Sequence, residues 1–187
     1  MKTLISEIQR LGNTDLGTAK KIISNFTLRE INEGGYLLKQ GHYCDQYFFI
    51  VSGVVRLFYV KDGKDYTVWI GTKGQVFTEL NSYLNRTPSV ISMRCEEKCL
   101  VYTIQKVKSD SLTKELPAYN TLLRRTVEEA FANMSKNIIS FQSDTAKERY
   151  NRVEREKNWL LKFPLKYISS FIGITQSSMS RIRAEKD

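Results

Sequence analysis

The sequence predicts an α+β fold: an N-terminal antiparallel β-roll (a double-stranded β-helix or jelly roll) with flanking helices, then a long dimerisation helix and a C-terminal helix-turn-helix domain. Three observations predict it. Short β-rich runs fill residues 26–104, one apolar stripe of helical period covers residues 116–141, and a basic helical unit follows. The expected domains are residues 1–115, 116–142 and 143–187, and a chain of 187 residues buries enough surface to fold without disulfides or metals.

In the first part of the chain the spacing of apolar residues changes from a helical pattern to that of short β-strands. Apolar residues recur at helical spacing in residues 4–11 and 16–23, which predicts two short helices. The Asp62-Gly63 pair then supplies the positive φ that a tight hairpin needs. Short runs separated by glycine or charged turns predict the strands of an antiparallel meander: Tyr47–Val51, Val54–Val60, Tyr66–Ile70, Val90–Cys95 and Leu100–Ile104.

A single apolar stripe predicts a helix of about seven turns, roughly 39 Å long at 1.5 Å per residue. The stripe could lie along the chain's own β-roll or pair with a second chain as a coiled coil. A roll of about 80 residues offers too little flank to cover it, so we expect a homodimer. The predicted dimerisation residues recur at intervals of three and four: Leu116, Tyr119, Leu123, Val127, Ala130, Met134, Ile138 and Phe141.

A polar break follows the stripe and opens the C-terminal unit. Gln142-Ser143-Asp144 interrupts the apolar pattern, and Thr145-Ala146-Lys147-Glu148 has the spacing of a capping box that begins a new helix. Residues 145–187 hold 10 Lys and Arg against 5 Asp and Glu, within a chain of net charge +9. Such a surplus is often only a solvated face, but it also favours a polyanionic partner, since clustered cations release counterions from phosphates.

Residues 163–183 have the pattern of a helix-turn-helix. Pro164 suits the start of the first helix, and Gly173 falls where the turn needs a left-handed residue. Thr175 caps the second helix, whose Met179 and Ile182 face inward. A helical hairpin without nucleic-acid function is the alternative. The predicted DNA-binding residues are Gln176, Ser177, Ser180, Arg181 and Arg183 on the second helix, with Lys166 and Ser169 on the first, and Ser170 is a further candidate near phosphates.

Several classes of protein are disfavoured by composition. The three cysteines, Cys44, Cys95 and Cys99, form an odd set, and His42 is the single histidine, so neither a disulfide framework nor a metal site is expected. An enzyme is disfavoured for the same reason, because nucleophilic catalysis usually needs a histidine base. No apolar run approaches a membrane span and the N-terminus lacks a secretory signal, so we expect a cytoplasmic protein without membrane contact.

The order of β-roll, long helix and helix-turn-helix resembles the Crp/Fnr family of bacterial transcription regulators over nearly the whole chain. Gly35–Gly41 and Tyr47–Arg56 are similar to the family's cyclic-nucleotide-binding roll, and Leu165–Arg183 is similar to the short form common in Bacteroidota. The resemblance implies a homodimer that binds double-stranded DNA, contacts RNA polymerase and has no enzymatic activity. It also implies a wing hairpin after the second helix, which we expect to be trimmed or absent because the sequence stops at Asp187.

The resemblance further implies an effector site, from which this chain departs. In the family, a Gly-Glu-Leu segment and a following Arg-Ser bind the ribose and the cyclic phosphate. Here the corresponding residues are Glu79, Leu80 and Ser89, with Arg86 three residues before the arginine position. Without that arginine the bidentate phosphate contact is lost, so we expect no cofactor and no cyclic AMP binding. The family's iron-sulfur branch needs four cysteines, which this chain lacks.

The sequence thus favours a homodimeric, sequence-specific transcription regulator whose β-roll senses an unidentified small molecule or is degenerate. The alternative is a cyclic-nucleotide receptor whose C-terminal helices bind a protein. The outer face of Gln176–Arg183 discriminates between them, because its amide and basic side chains suit DNA better than a protein surface.

Overall fold

The computed structural model of the chain describes residues 2–156 and 163–185. Contacts divide the chain into two units, the first formed by residues 1–57 and 70–130 and the second by residues 58–69 and 131–187. The elements, in chain order, are α1 Lys2–Gly12, α2 Leu16–Ile23, β1 Thr27–Ile31, β2 Tyr36–Leu38, β3 Gln46–Ser52, β4 Val55–Lys61, β5 Lys64–Gly71, β6 Val76–Phe77, α3 Leu80–Asn85, β7 Ser92–Cys95, β8 Cys99–Gln105, α4 Lys106–Glu115, α5 Pro117–Ser143, α6 Ala146–Glu156, α7 Leu165–Phe171 and α8 Gln176–Ala184.

The strands form two four-stranded sheets, which confirms the predicted antiparallel β-roll. The strand orders are β1-β8-β3-β6 and β2-β7-β4-β5. In the first sheet β3 and β8 are antiparallel, with Tyr47 opposite Ile104 and Ile50 opposite Val101. Strand β3 is buried on both faces from Tyr47 to Ile50, because one face meets the inside of the roll and the other meets helices.

The flanking helices complete the core of the first unit. Leu4 and Ile8 of α1 pack in one buried cluster with Phe49 and Ile104 of the sheet. Tyr119, in the first turn of α5, is fully buried in the same cluster, and its hydroxyl lies 2.9 Å from Ser109 Oγ. The long helix therefore begins as part of the roll's own core.

The tip of the roll is the predicted hairpin. Asp62 and Gly63 have φ angles of 52° and 72°, so both central residues of the two-residue turn are left-handed. By its contacts the hairpin belongs to the second unit, in which the Thr67 amide donates a hydrogen bond of 2.8 Å to Ser170 Oγ.

The short elements β1, β2, β6, α3 and α4 were not predicted individually, because runs of two to five residues and a charged helix carry little periodicity. One predicted strand is also shorter than expected. Val90 lies outside β7 and is exposed, since the preceding Ser89 hydroxyl turns back to the amide and carbonyl of Ile91. Within the described residues, no helix has the length and apolar character needed to cross a bilayer.

The capping box that opens α6 is confirmed. Glu148 accepts a hydrogen bond of 2.7 Å from the Thr145 amide, and the Glu148 amide donates one of 3.3 Å to Thr145 Oγ1. The hydrogen bond from the Thr145 amide lowers the pKa of the Glu148 carboxyl. In the same unit the Arg149 guanidinium donates hydrogen bonds to the carbonyls of Asp144 and Ile172. These bonds connect the segment that follows α5 to the end of α7.

Candidate nucleic-acid interface

Helices α7 and α8 are joined by a four-residue turn whose local geometry follows the sequence. Gly173 has a φ of 69°, and a Cβ at this position would lie 2.9 Å from Phe141 Cε1, so the turn requires glycine for two reasons. Thr175 caps α8 by accepting a hydrogen bond of 3.1 Å from the Ser178 amide. Met179 and Ile182 are buried as predicted.

The opposite side of α8 is polar and exposed. Gln176 and Ser180 are four residues apart, as are Ser177 and Arg181, so these four side chains share one face. Arg181 forms no ion pair with any residue that the structure describes. Arg183 is half-buried at the edge of this face. We call Gln176, Ser177, Ser180 and Arg181 the α8 outer face.

Helix α7 carries three of the predicted residues. Ser169 is only 2% exposed, and its hydroxyl donates to the Lys166 carbonyl, so its side chain lies in the interior of this unit and does not form part of its surface. The Ser170 hydroxyl accepts a hydrogen bond from the Thr67 amide. Lys166 is exposed, with its Nζ 4.8 Å from the centre of the Tyr167 ring. Among these α7 residues, only Lys166 presents an exposed side chain.

Helix α5 changes character along its length. Tyr119 is buried in the first unit and Leu116 and Leu123 are half-buried, whereas the later predicted residues are exposed, Ala130 included. Val127, Met134, Ile138 and Phe141 are 38–51% exposed, and Phe131, which the sequence reading missed, is 64% exposed. We call Val127, Phe131, Met134, Ile138 and Phe141 the exposed stripe.

The exposed stripe has a stricter period than the predicted one. Its residues are spaced by four, three, four and three, which is the heptad pattern of a two-chain coiled coil. That alternation was the available signal for Phe131, which the sequence reading replaced with the neighbouring Ala130.

The predicted effector residues have local structural roles. The Glu79 carboxylate accepts hydrogen bonds of 3.3 and 2.9 Å from the amides of Asn81 and Ser82 and so caps α3. Ser89 is buried against Ile91, and Arg86 is an exposed, left-handed residue at the end of α3 with a φ of 55°. Leu80 is partly exposed. No cation among these four residues is buried in the roll.

The roll contains one buried charged group that the sequence reading did not single out. Arg56 is 1% exposed, and its Nε lies 2.8 Å from Oε1 of Glu96, whose other oxygen lies 2.8 Å from an Arg94 nitrogen. The signal was a lone arginine within the apolar run Val54–Val60.

The three cysteines are buried and free. Hydrogen bonding with Cys99, together with burial, raises the pKa of the Cys95 thiol far above its ordinary value. This environment disfavours the thiolate form of Cys95. Within residues 2–156 and 163–185, no three His, Cys, Asp or Glu side chains are grouped closely enough to hold a metal ion.

Comparison with known proteins identifies the class of the roll. Residues 28–115 match the family model described as the cyclic nucleotide-binding domain. No curated protein sequence matches the chain.

Solved structures are similar over most of the chain. The c-di-GMP responsive global regulator CLP of Xanthomonas campestris is 13% identical with a TM-score of 0.71, and the similarity covers 91% of each chain. A protein of Eubacterium rectale described as a Crp/Fnr-family transcriptional regulator is 14% identical with a TM-score of 0.70, covering 92% of this chain and 83% of that one. The catabolite activator protein of Thermus thermophilus is 19% identical with a TM-score of 0.61, covering 96% and 85%. At these identities the similarity establishes the fold: a β-roll with flanking helices and a long helix, shared with Crp/Fnr regulators.

Proposed function

We propose that this protein is a homodimeric, sequence-specific DNA-binding transcription regulator without enzymatic activity. The observation that carries the proposal is the α7–turn–α8 unit: two helices joined by a four-residue turn, whose inner side is packed by Ile168, Met179 and Ile182 and whose α8 outer face is polar, exposed and cationic. B-DNA's major groove, about 12 Å wide, admits one such helix.

The chemistry of the α8 outer face suits base edges. Gln176 offers an amide that donates and accepts, and the Arg181 guanidinium forms a fork that matches the two acceptors of guanine. Ser177 and Ser180 are small enough to let α8 approach the bases. Lys166 on α7 is a point charge suited to a phosphate, which sets position without selecting sequence.

In a dimer, each of the two α8 helices would contact one half-site of the operator. The exposed stripe presents five large apolar side chains on one face of α5, which two chains would bury against each other. A two-fold dimer places two recognition helices about one turn of DNA apart, so we expect a palindromic operator.

The first prediction tests base recognition. Arg181→Ala should weaken binding to the selected operator by about 1–3 kcal/mol and relax the preference at one base pair. Lys166→Ala should weaken binding to all sequences about equally, because it removes a phosphate contact. The operator is obtained by selection from random DNA, and affinities are measured by fluorescence anisotropy at one fixed salt concentration.

The matched control is Lys114→Ala, which removes an exposed cation from the first unit. If Arg181→Ala lowers affinity no more than this control, or leaves the base preference intact, Arg181 does not read bases. If no DNA sequence is enriched, the proposal fails and the alternative, a receptor whose C-terminal helices bind protein, replaces it.

A second prediction concerns the effector of the roll. Since Glu79 caps α3, Ser89 bonds to Ile91 and Arg86 is exposed, these predicted effector residues present no cation inside the roll for a cyclic phosphate. We expect cyclic AMP and cyclic GMP to bind no more tightly than about 1 mM, or about −4 kcal/mol, and DNA binding to proceed without them. Titration calorimetry on the wild type measures this directly. A micromolar, saturable heat that disappears in Arg86→Ala would show that Arg86 moves inward to bind the phosphate.

A further inference from the structure

The second unit contains a cavity of about 480 Å³ that is separate from the predicted effector residues of the roll. It is bounded by Trp69 at the end of β5, by the last three turns of α5, by α6 and by Phe171 of α7. All its lining residues belong to residues 58–69 and 131–187. The volume is within the range of about 300–1,000 Å³ that small-molecule sites occupy.

Three polar side chains of α5 that line this cavity are Asn133, Lys136 and Asn137. Lys136 forms no ion pair within the described part of the chain, and the side-chain amides of Asn133 and Asn137 form no hydrogen bond with it. One cation and two amides therefore converge on the same space with their bonding capacity available to a ligand.

The opposite wall carries a second cation. Arg152 of α6 lies 4.0 Å from an Asp144 oxygen, at the limit of an ion pair. Asp144 also accepts hydrogen bonds from the hydroxyls of Ser140 and Ser143, and the Ser140 bond is the main reason that the pKa of this carboxyl is lowered. The lining holds two cations, Lys136 and Arg152, against the single carboxylate of Asp144, so it carries an excess of positive charge.

The remaining walls are apolar and partly aromatic. Trp69 and Phe171 line the cavity with Ile139 and Val153. Aromatic rings favour flat ligands, which stack or pack edge-to-face on them. The charges select an acid group and the rings select a planar body.

The cavity and the exposed stripe occupy different faces of α5. Asn133 and Lys136 are offset from Met134 and Ile138 by helical positions that turn them away from the stripe, whereas Asn137 lies beside it, three positions after Met134 and four before Phe141. A second chain packed on the stripe would thus leave the Lys136 side of the cavity accessible.

We propose that this cavity is a binding site for a small, planar organic anion, whose acid group contacts Lys136 and Arg152 and whose apolar body packs against Trp69 and Phe171. Such a ligand would bridge α5, α6 and α7. Because α7 is the first helix of the proposed DNA-binding unit, a ligand that bridges these helices would be an effector of DNA binding. This effector role rests on the proposed function.

The test uses anilinonaphthalene sulfonate, a planar aromatic anion whose fluorescence reports binding. The chain has two tryptophans, so Trp159→Phe leaves Trp69 as the single donor for energy transfer to the probe. We expect saturable transfer from Trp69, and a loss of affinity of about tenfold in Lys136→Met and in Arg152→Met. The uncharged analogue phenylnaphthylamine should bind more weakly and equally well to all three proteins.

Lys114→Met is the matched control, because it removes the same charge from an exposed site in the first unit. Absence of transfer from Trp69, transfer unchanged in both cavity variants, or an equal loss in Lys114→Met overturns the proposal. Should Arg152→Met fail to fold, the exposed Lys136 still decides the matter. The measurement contains no DNA, so its outcome is independent of whether the protein binds an operator.

Discussion

Replacing Val127 and Met134 by glutamate should convert the protein to monomers and abolish tight operator binding. These side chains are 38% and 51% exposed within one chain, so the substitutions leave its own core intact. In a paired stripe each glutamate would be an uncompensated buried charge, which costs about 3–5 kcal/mol. Sedimentation equilibrium measures the mass, and fluorescence anisotropy measures binding to the selected operator.

The matched pair of single variants is Met134→Glu and Ala132→Glu. Both add one negative charge to α5, but Ala132 is an exposed residue outside the exposed stripe. We expect Ala132→Glu to remain dimeric. An unchanged dimer mass in the double variant would mean that the exposed stripe does not pair two chains.

Glu96→Gln should destabilise the fold by about 3–5 kcal/mol, because it removes the carboxylate charge that lies 2.8 Å from the buried Arg56 guanidinium. That is a large share of the roughly 5–15 kcal/mol by which most domains are stable. The midpoint of urea unfolding, followed by circular dichroism, should fall sharply, and adding Arg56→Met should recover part of the loss by removing the buried charge that Glu96 compensates.

Glu30→Gln provides the comparison. Glu30 pairs with Lys98 at 2.8 Å, but both side chains are more than half exposed. Loss of this exposed ion pair should lower the free energy of unfolding by less than about 1 kcal/mol. Equal effects of Glu30→Gln and Glu96→Gln would show that the Arg56 charge is compensated without Glu96.

The elements that could be predicted from the sequence are those specified by neighbouring residues. The Asp62-Gly63 hairpin, the Thr145 capping box and the Thr175 cap each depend on side chains and amides within about four positions. The period of α5 is equally local. For this reason the β-roll, its flanking helices and the long helix were all predicted.

The features that the sequence reading missed depend on distant contacts. Ser169 is polar, yet it is buried because α7 packs on more than one side. Arg56 and Glu96 are 40 residues apart, and no local pattern pairs them. Phe131 was the exception, since its heptad spacing was visible in the sequence. In the roll, Glu79 and Ser89 were placed by analogy, and their roles became clear only from the amides they bond.

The hairpin of residues 58–69 groups with the C-terminal helices in the second unit, and this has a consequence for folding during synthesis. Residues 58–69 leave the ribosome well before residues 131–185, yet they group by their contacts with that later segment. The bond between Thr67 and Ser170 spans 103 positions, and contacts of such high sequence separation form slowly. We expect the first unit to fold early while the hairpin waits for the C-terminal helices. A fragment beginning at residue 131 would lack Trp69 and the Thr67 bond, so fusing this C-terminal segment to another protein would not transfer the whole second unit.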